Sequence, residues 1–192
     1  MKIILTSKNI LEKGLQINSQ TIYRGDEAEI DNTNFDPEYG TEVLGRQLGS
    51  SMGEGPGMYF TTCPKNAENY GEYISKYIIA PNANLISKNH PKLDKKQIKI
   101  IIQKIPSDIV EIASSNWDED INRGKEILID NIFDNENIID QLIDIWAEIL
   151  NRQDPKMFME IMKSVGIDGI IVERGNYQNF AIYNLEIIEK II

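Results

Sequence analysis

Apolar residues along this chain follow two different periods. Short runs rich in β-branched and aromatic residues, bounded by Gly, Pro, Asn or Asp, predict β-strands in its first and last parts. The predicted strands fall at residues 15–25 (a strand, a turn and a second strand), 58–62, 82–86, 167–173 and 179–188.

Between these β-rich parts, from about residue 94 to residue 165, apolar residues recur at helical spacing. Asp154 and Pro155 supply an N-cap and a first helical residue, and Gly166 supplies the stop of the last helix. The pattern predicts a single domain spanning residues 1–192 with an all-helical insertion at about 94–165.

Three other segments carry weaker signals. Residues 8–13 predict a short helix, and residues 26–56 are acidic, rich in Gly, Asn and Asp, and without a sustained period, which predicts a long loop. Pro64 begins a segment with apolar residues at helical spacing, so a helix is predicted over residues 64–77 despite Gly71.

Composition narrows the class of protein. A hydrophobic content of 41% and a charged content of 26% are typical of a folded domain. Thirty acidic against 20 basic residues give a formal charge of -10, which disfavours broad electrostatic capture of nucleic acid or anionic membrane but leaves a locally basic groove open. Cys63 and His90 are the only residues of their types, which excludes an intrachain disulfide, a cysteine-based zinc site and a multi-histidine metal site.

Neither a membrane helix nor a signal peptide is recognisable in the sequence. No apolar run approaches the roughly 20 residues that a bilayer requires, and the first residues lack the pattern of a secretion signal. A cytoplasmic location without membrane contact is therefore expected.

Three β-segments carry unusual aromatic and polar residues, namely TIYRG (21–25), GPGMYFTTCPKNAENYG (55–71) and YQNFAIYN (177–184). The glycines before residue 58 do not form a phosphate-binding loop, because neither GK[ST] nor GxGxxG is present. Taken singly, Tyr59 and Tyr70 are typical of half-buried core tyrosines, and Arg24 is typical of a surface ion pair.

Taken together and in order, the three segments resemble the poly(ADP-ribose) polymerase and diphtheria-toxin branch of the ADP-ribosyltransferases. The middle segment is similar to the family's glycine-rich turn, G-[IM]-YF strand and [SN]-A-x-Y helix, through Gly57, Met58, Tyr59, Phe60, Asn66, Ala67 and Tyr70. TIYRG is similar to its first strand and QNFAIYNLEII to its last catalytic strand, so the resemblance covers roughly residues 20–87 and 167–190. It implies an α+β domain with a split antiparallel β-sheet of the ADP-ribosyltransferase type, and NAD in the cleft between the halves.

The resemblance also implies roles for individual residues. Tyr59 and Tyr70 would hold the nicotinamide ring between them, and the backbone of Gly25 would bind its carboxamide. Arg24, at a position held by histidine in the polymerases and by arginine in other toxins, would bind ribose hydroxyls or a phosphate. The implied NAD site contains no metal and also includes Tyr23, Gly57 and Ala67. Tyr177 and Gln178 would lie on the side of the acceptor.

Asn179 stands where the family places its catalytic glutamate. An amide can accept a hydrogen bond from the ribose 2′-hydroxyl, but it supplies no negative charge for an oxocarbenium-like transition state, and this loss lowers the rate by orders of magnitude. Three explanations remain open. In the first, another acid performs the role of the glutamate, with Glu173, Glu186 and the acids of residues 26–56 as candidates. In the second, Asn179 or Gln178 is an inactivating substitution. In the third, the chain binds NAD without turnover.

The expected function is NAD-dependent mono-ADP-ribosylation of a macromolecule, protein or nucleic acid, as in bacterial or phage toxins and effectors. An antitoxin or inhibitor is a further expected partner. Two alternatives use the same pocket, namely an NAD glycohydrolase and a catalytically impaired NAD-binding interaction protein.

Overall fold

The computed structural model describes residues 20–27, 29, 57–88, 92–106, 125–126, 129–130 and 155–191. Seven strands lie in these ranges: β1 Thr21–Asp26, β2 Met58–Thr61, β3 Tyr73–Ile79, β4 Leu85–Ser87, β5 Gly169–Arg174, β6 Tyr177–Ile182 and β7 Ile188–Lys190. The helices are α1 Pro64–Ala67, α2 Lys95–Lys104 and α3 Pro155–Ser164, with single 3₁₀ turns at Glu68–Tyr70 and Leu185–Ile187. The predictions for residues 2–19, for most of the 26–56 loop and for most of the helical insertion lie outside the described residues.

All seven strands form one mixed sheet in the order β4-β5-β6-β2-β1-β3-β7. β4 and β5 run parallel and every other neighbouring pair is antiparallel. The strands come from both ends of the chain, because β2 from the first part pairs with β6 from the last. The predicted α+β class is confirmed.

The sheet is weakly joined between β1 and β2. β1 pairs with β3 along its whole length, and β2 pairs with β6 along its whole length. In the described part of the chain, however, β1 and β2 share a single register pair, Tyr23 with Thr61. The sheet therefore consists of two well-paired parts that meet at one point, and the region beside that point is called the β1–β2 gap below.

Each face of the sheet has its own apolar core. The first, called the Tyr59 face, carries Ile170, Val172, Ala181 and Tyr183, against which α2 and α3 pack. The second, called the Phe60 face, carries a separate buried cluster that includes Ile22, Met58, Phe60, Tyr77, Phe180 and Ile182. Because successive strand residues point to opposite faces, the face of each residue follows from its register.

The two long helices have well-defined ends. Asp94 caps α2 in a capping box, since its side chain accepts from the Gln97 N–H and the Gln97 side chain accepts from the Asp94 N–H. α3 begins at Pro155, as predicted, and ends in a Schellman motif. There Gly166, at φ 77°, donates to Lys163 O at 2.9 Å, and Ile167 N–H donates to Met162 O at 3.0 Å.

The helix predicted over residues 64–77 is wrong in its second half. Helical structure ends at Tyr70, and Tyr73–Ile79 is strand β3, whose side chains after Tyr73 alternate between half-buried and buried. A Cβ at Gly71 would lie 2.1 Å from the Asp26 carbonyl oxygen, so this glycine allows the chain to turn against β1. Pairing with β1 therefore prevails over the weak helical periodicity of EYISKY.

Two predicted strands have different bounds in the structure. The 82–86 segment is paired only as Leu85–Ser87, and the 179–188 segment is interrupted by a 3₁₀ turn at Leu185–Ile187 before β7. Within the described ranges, no helix has the length and apolar character that crossing a membrane requires.

Candidate functional site

The β1–β2 gap brings several of the predicted site residues onto one face of the sheet. Tyr59 is in register with Ala181, and Asn179 is in register with Thr61, which is in turn in register with Tyr23. Residues directly opposite one another on paired strands share a face, so Tyr23, Tyr59 and Asn179 all lie on the Tyr59 face. Gly25, two residues beyond Tyr23, lies on that face too.

Gly25 is the point at which α1 approaches β1. A Cβ on Gly25 would lie 2.0 Å from the carbonyl oxygen of Ala67, a distance that no side chain tolerates. Ala67 itself is 1% exposed, so the end of α1 is pressed onto the strand. The glycine therefore sets the position of α1 and of the 3₁₀ turn that carries Tyr70.

Tyr59 is half-buried and packs against the core of the Tyr59 face. Tyr70, in contrast, is 66% exposed. The structure places Tyr59 on β2 and Tyr70 on the 3₁₀ turn after α1, a turn that contacts β1, and it gives the two tyrosines different environments.

Arg24 lies on the opposite face from Gly25, because it follows the alternation of Ile22, which is buried in the Phe60 face. Its Nε donates to Asp26 Oδ2 at 2.9 Å and its Nη2 lies 2.6 Å from Asp26 Oδ1. Its Nη1 donates to the carbonyl oxygen of Tyr59 at 3.3 Å. The guanidinium therefore bridges β1 and β2 where the strands part, and it fixes the backbone of Tyr59.

Asn179 has a buried amide oxygen without a hydrogen-bond partner among the described residues. Its neighbours across the sheet are Thr61 on β2 and Val172 on β5. The hydroxyl of Thr61 is already an acceptor for Cys63 N–H at 3.2 Å and for Asn66 Nδ2 at 3.5 Å. A buried acceptor without a donor is costly, and such a group in a native fold calls for an explanation.

The acceptor-side residues form the beginning of β6. Gln178 accepts from Gln20 Nε2 at 3.0 Å through its side chain and donates from its backbone to Thr62 Oγ1 at 2.9 Å. Its side chain therefore lies on the Phe60 face, away from Asn179. Tyr177 is half-buried and in register with Arg174 beside the β5–β6 turn.

Gly57 lies away from the Thr61–Asn179 pair. It immediately precedes β2, where a Cβ would lie 3.0 Å from the Ile182 carbonyl oxygen, at the other end of the strand from Thr61. The structure therefore brings Tyr23, Gly25, Tyr59 and Asn179 onto one face, where the Ala67 carbonyl covers Gly25, and leaves Gly57 apart.

The candidate acids that the structure describes are not beside Asn179; the remaining acids of the 26–56 segment, namely Asp31, Asp36, Glu38, Glu42 and Glu54, lie outside the described residues. Glu173 is exposed and in register with Gln178, on the other face, and Glu186 is exposed in the second 3₁₀ turn. Of the 26–56 acids, Glu27 and Glu29 are exposed and Asp26 is ion-paired with Arg24. Among the described residues, no cluster of three or more His, Cys, Asp or Glu side chains is arranged to hold a metal ion.

Asp26 is a site residue that the sequence did not predict, because the composition of residues 26–56 indicates a loop that begins at Asp26. It is the last residue of β1 and is 5% exposed. Residues two apart on a strand share a face, so Arg24 and Asp26 lie side by side on the face of Ile22. This i, i+2 spacing of an arginine and a carboxylate is the sequence signal for their ion pair.

Comparisons with known proteins add little to this geometry. No protein-family model matches the sequence, and no curated protein matches it. A solved structure described as the crystal structure of an anti-CRISPR protein is similar at 12% identity and a TM-score of 0.37, over 90% of this chain and 96% of that one. A TM-score this low carries no argument about fold or function.

Proposed function

We propose that this chain is an NAD-dependent mono-ADP-ribosyltransferase of the split-sheet type that modifies a macromolecule. One observation carries the proposal, namely that Gly25, Tyr59 and Asn179, which come from three motifs far apart in the sequence, share one sheet face at the β1–β2 gap. A transferase of this kind needs a flat-ring pocket and a hydrogen-bond acceptor beside the ribose, and both would be supplied at this place.

Tyr59 would form the inner wall of the nicotinamide pocket, since its ring packs on the sheet core while staying half-exposed. Tyr70 would form the outer wall from the turn after α1. Gly25 would contribute by admitting the Ala67 carbonyl to the Tyr59 face. Since Gly25 is buried, binding of a carboxamide to its peptide groups would require the end of α1 to move away from β1. Tyr23 would line the same face, while Gly57 would act only by shaping the entry to β2.

Arg24 would position Tyr59 from the opposite side of the sheet, because its guanidinium lies on the Phe60 face whereas Tyr23, Gly25 and Asn179 lie on the Tyr59 face. The contact with the ribose or a phosphate that the resemblance implies would require NAD to reach Arg24 through the β1–β2 gap. A guanidinium carries five N–H donors, and three separate contacts engage it, two with Asp26 and one with the Tyr59 carbonyl. The other two donors have no acceptor among the described residues. Because Asp26 offsets its charge, Arg24 would act through directional hydrogen bonds more than through net attraction.

Asn179, which is half-buried, would accept the hydrogen bond of the ribose 2′-hydroxyl through Oδ1, and this would require the buried amide oxygen to turn toward the pocket. It supplies a dipole where a carboxylate would supply a charge, so turnover would be slow. The same fact favours a second candidate function, an NAD-binding protein without turnover, because no carboxylate of the described residues lies beside Asn179 on the Tyr59 face.

The deciding experiment is incubation of the purified chain with NAD carrying a tagged adenine, in a cell lysate and in buffer alone. Transfer to a macromolecule labels a lysate component, whereas a glycohydrolase releases nicotinamide in buffer and labels nothing. Asn179→Glu is expected to raise the rate at least tenfold, and Tyr59→Ala to abolish it, whereas Tyr59→Phe keeps it because the ring is retained.

NAD binding is measured separately by thermal shift and calorimetry. If millimolar NAD leaves the melting temperature unchanged in both the wild-type chain and Asn179→Glu, the proposed pocket does not exist. Binding by both forms with turnover by neither would establish the second candidate. The proposal also includes a protein or nucleic-acid acceptor, an antitoxin and a cytoplasmic location. All three depend on the detection of a labelled product.

A further inference from the structure

The outer edge of β3 is only partly covered. β7 is in register with Tyr77, Ile78 and Ile79, and beyond β7 the Ile191 N–H donates to Lys76 O at 2.8 Å. Before Lys76, no strand of the described part of the chain adjoins the outer side of Tyr73–Ser75. This three-residue stretch is called the open edge below.

Backbone hydrogen bonds show which groups the open edge presents. Ile79 N–H donates inward to Gln20 O, next to β1, and Ala80 N–H donates outward to Ile187 O. Odd-numbered residues of β3 therefore turn their peptide groups toward β1, and even-numbered residues turn theirs outward. By this alternation the N–H and the C=O of Ile74 point outward at the open edge, where they form a template for an added strand.

Two exposed aromatic rings lie at the end of the sheet where the open edge begins. Tyr73 is 52% exposed and Tyr70 is 66% exposed, and besides these two only Ile191 is an exposed large hydrophobic residue among the described residues. Tyr73 is in register with Asp26, and Gly71 is packed against the Asp26 backbone, so both tyrosines lie at the same end of β1. Exposed aromatic rings at a strand edge are typical of an interaction surface.

The charges around the open edge are mainly negative. Glu27, Glu68 and Glu72 are exposed at this end of the sheet. The cations on neighbouring elements are Lys65 on α1, Lys76 within β3 and Lys190 on β7. Lys190 lies 3.9 Å from Glu29, and Arg24 and Asp26 offset one another. With a chain charge of -10, the local and overall fields both favour a cationic partner, and tyrosine faces attract lysine and arginine.

We propose that the open edge binds an extended lysine- or arginine-rich segment of a partner protein as an added strand. Main-chain hydrogen bonds to Ile74 would hold the segment, and Tyr73 with Glu68 and Glu72 would select its cationic side chains. This surface is separate from the NAD chemistry proposed above. Because Tyr70 also belongs to the proposed NAD pocket, its substitution is not used as a test.

The probe is a fluorescein-labelled peptide, KVRVKVR, measured by fluorescence anisotropy and by amide hydrogen exchange of the whole chain. Bound peptide is expected to slow exchange of the Ile74 amide by about tenfold or more. The same peptide N-methylated at alternate residues keeps its charge and side chains but loses one hydrogen-bonding edge, so it is expected to lose binding. The acidic peptide EVEVEVE is expected not to bind.

Charge reversal tests the selection of the partner. Glu68→Lys with Glu72→Lys is expected to weaken the cationic peptide about tenfold, since each reversal removes an attraction and adds a repulsion. The control is the double variant Glu160→Lys with Glu173→Lys, which changes the net charge by the same amount at other exposed positions. It is expected to keep the affinity for the cationic peptide within about twofold of the wild-type value. Tyr73→Ala is expected to weaken binding while retaining the circular dichroism of the folded chain.

Three results would overturn the proposal. Equal binding of the N-methylated peptide would show charge-driven association without strand addition. An Ile74 amide that exchanges slowly before peptide is added would show that the edge is covered by the chain itself or by a second copy. Tighter binding of a single-stranded oligonucleotide than of KVRVKVR would assign the surface to nucleic acid.

Discussion

The carboxylate of Asp26 is held by the guanidinium of Arg24 through two contacts, at 2.9 Å from Nε to Oδ2 and at 2.6 Å from Nη2 to Oδ1. Asp26 is 5% exposed and Arg24 is 17% exposed, so the pair is mostly withdrawn from water. Since the third contact of Arg24 is with the Tyr59 carbonyl, this pair joins β1 to the strand that carries the proposed pocket.

Removing one partner of this pair is expected to destabilise the chain. Arg24→Ala leaves the Asp26 carboxylate buried without its cation and should lower the free energy of unfolding by about 2–4 kcal/mol. Arg24→Lys should recover only part of this loss, because an ammonium group cannot span both carboxylate oxygens and the Tyr59 carbonyl. Urea unfolding measures both variants.

The double variant Arg24→Leu with Asp26→Leu is the control for that prediction. It removes both charges together and should lie closer to the wild-type stability than Arg24→Ala alone. If Arg24→Ala unfolds at the wild-type urea concentration, the ion pair does not join the two parts of the sheet.

Gly25→Ala is expected to displace α1, because the new Cβ would lie 2.0 Å from the backbone oxygen of Ala67. A loss of at least about 2 kcal/mol is expected, since backbone atoms on both sides must move. The control is Gly175→Ala at the β5–β6 turn, where φ is 63° and a Cβ meets no atom within 4 Å. That change should cost only about 1 kcal/mol of backbone strain.

Asn substitutions separate these two causes. Gly175→Asn should restore most of the stability lost in Gly175→Ala, because asparagine tolerates a left-handed backbone. Gly25→Asn should be no better than Gly25→Ala, because its defect is a steric clash. Equal behaviour of the two sites on thermal unfolding would contradict the close approach of α1 to β1.

Asn179→Val is expected to lower NAD binding without lowering the stability of the fold. The substitution removes Oδ1, which has no partner among the described residues, and places a β-branched residue opposite Val172, so stability should be unchanged or higher by up to about 1 kcal/mol. NAD binding should fall, because the acceptor for the ribose is lost. A marked loss of stability would instead show that Asn179 makes a structural hydrogen bond, and its proposed role would fail.

Asp168 is expected to be a structural residue whose loss is costly. Its Oδ2 accepts from Asn84 N–H and its Oδ1 accepts from Asn184 Nδ2, both at 2.8 Å, so it ties the segments before β4 and after β6 together. Asp168→Ala should cost about 2–3 kcal/mol because both donors lose their acceptor. Glu160→Ala, on an exposed face of α3, should stay within about 0.5 kcal/mol. Chemical denaturation measures the stability of both variants. NAD binding is a second readout, which checks that the site remains intact.

Local signals in the sequence predicted β2 at its correct place, the start of α3 at Pro155 and the glycine stop at Gly166. Each depends on a few consecutive residues, either a β-branched and aromatic run or a capping pattern, whose preference holds in any surroundings. The helix prediction over residues 64–77 failed at Tyr73, because a strand pairs with distant residues that local periodicity does not register.

The sequence by itself determined the α+β class, the strands that carry the three motifs and the residue types offered to a site, because these follow from backbone preferences and from composition. Tertiary structure alone decided which residues meet. The register of β6 on β2 puts Asn179 opposite Thr61, and strand alternation turns Arg24 to the other face, where it binds Asp26. The register of β6 depends on pairing with a strand more than a hundred residues away, and the facing of Arg24 depends on the pairing of β1 with β2 and β3. The physical origin of both is the joint burial of two apolar faces.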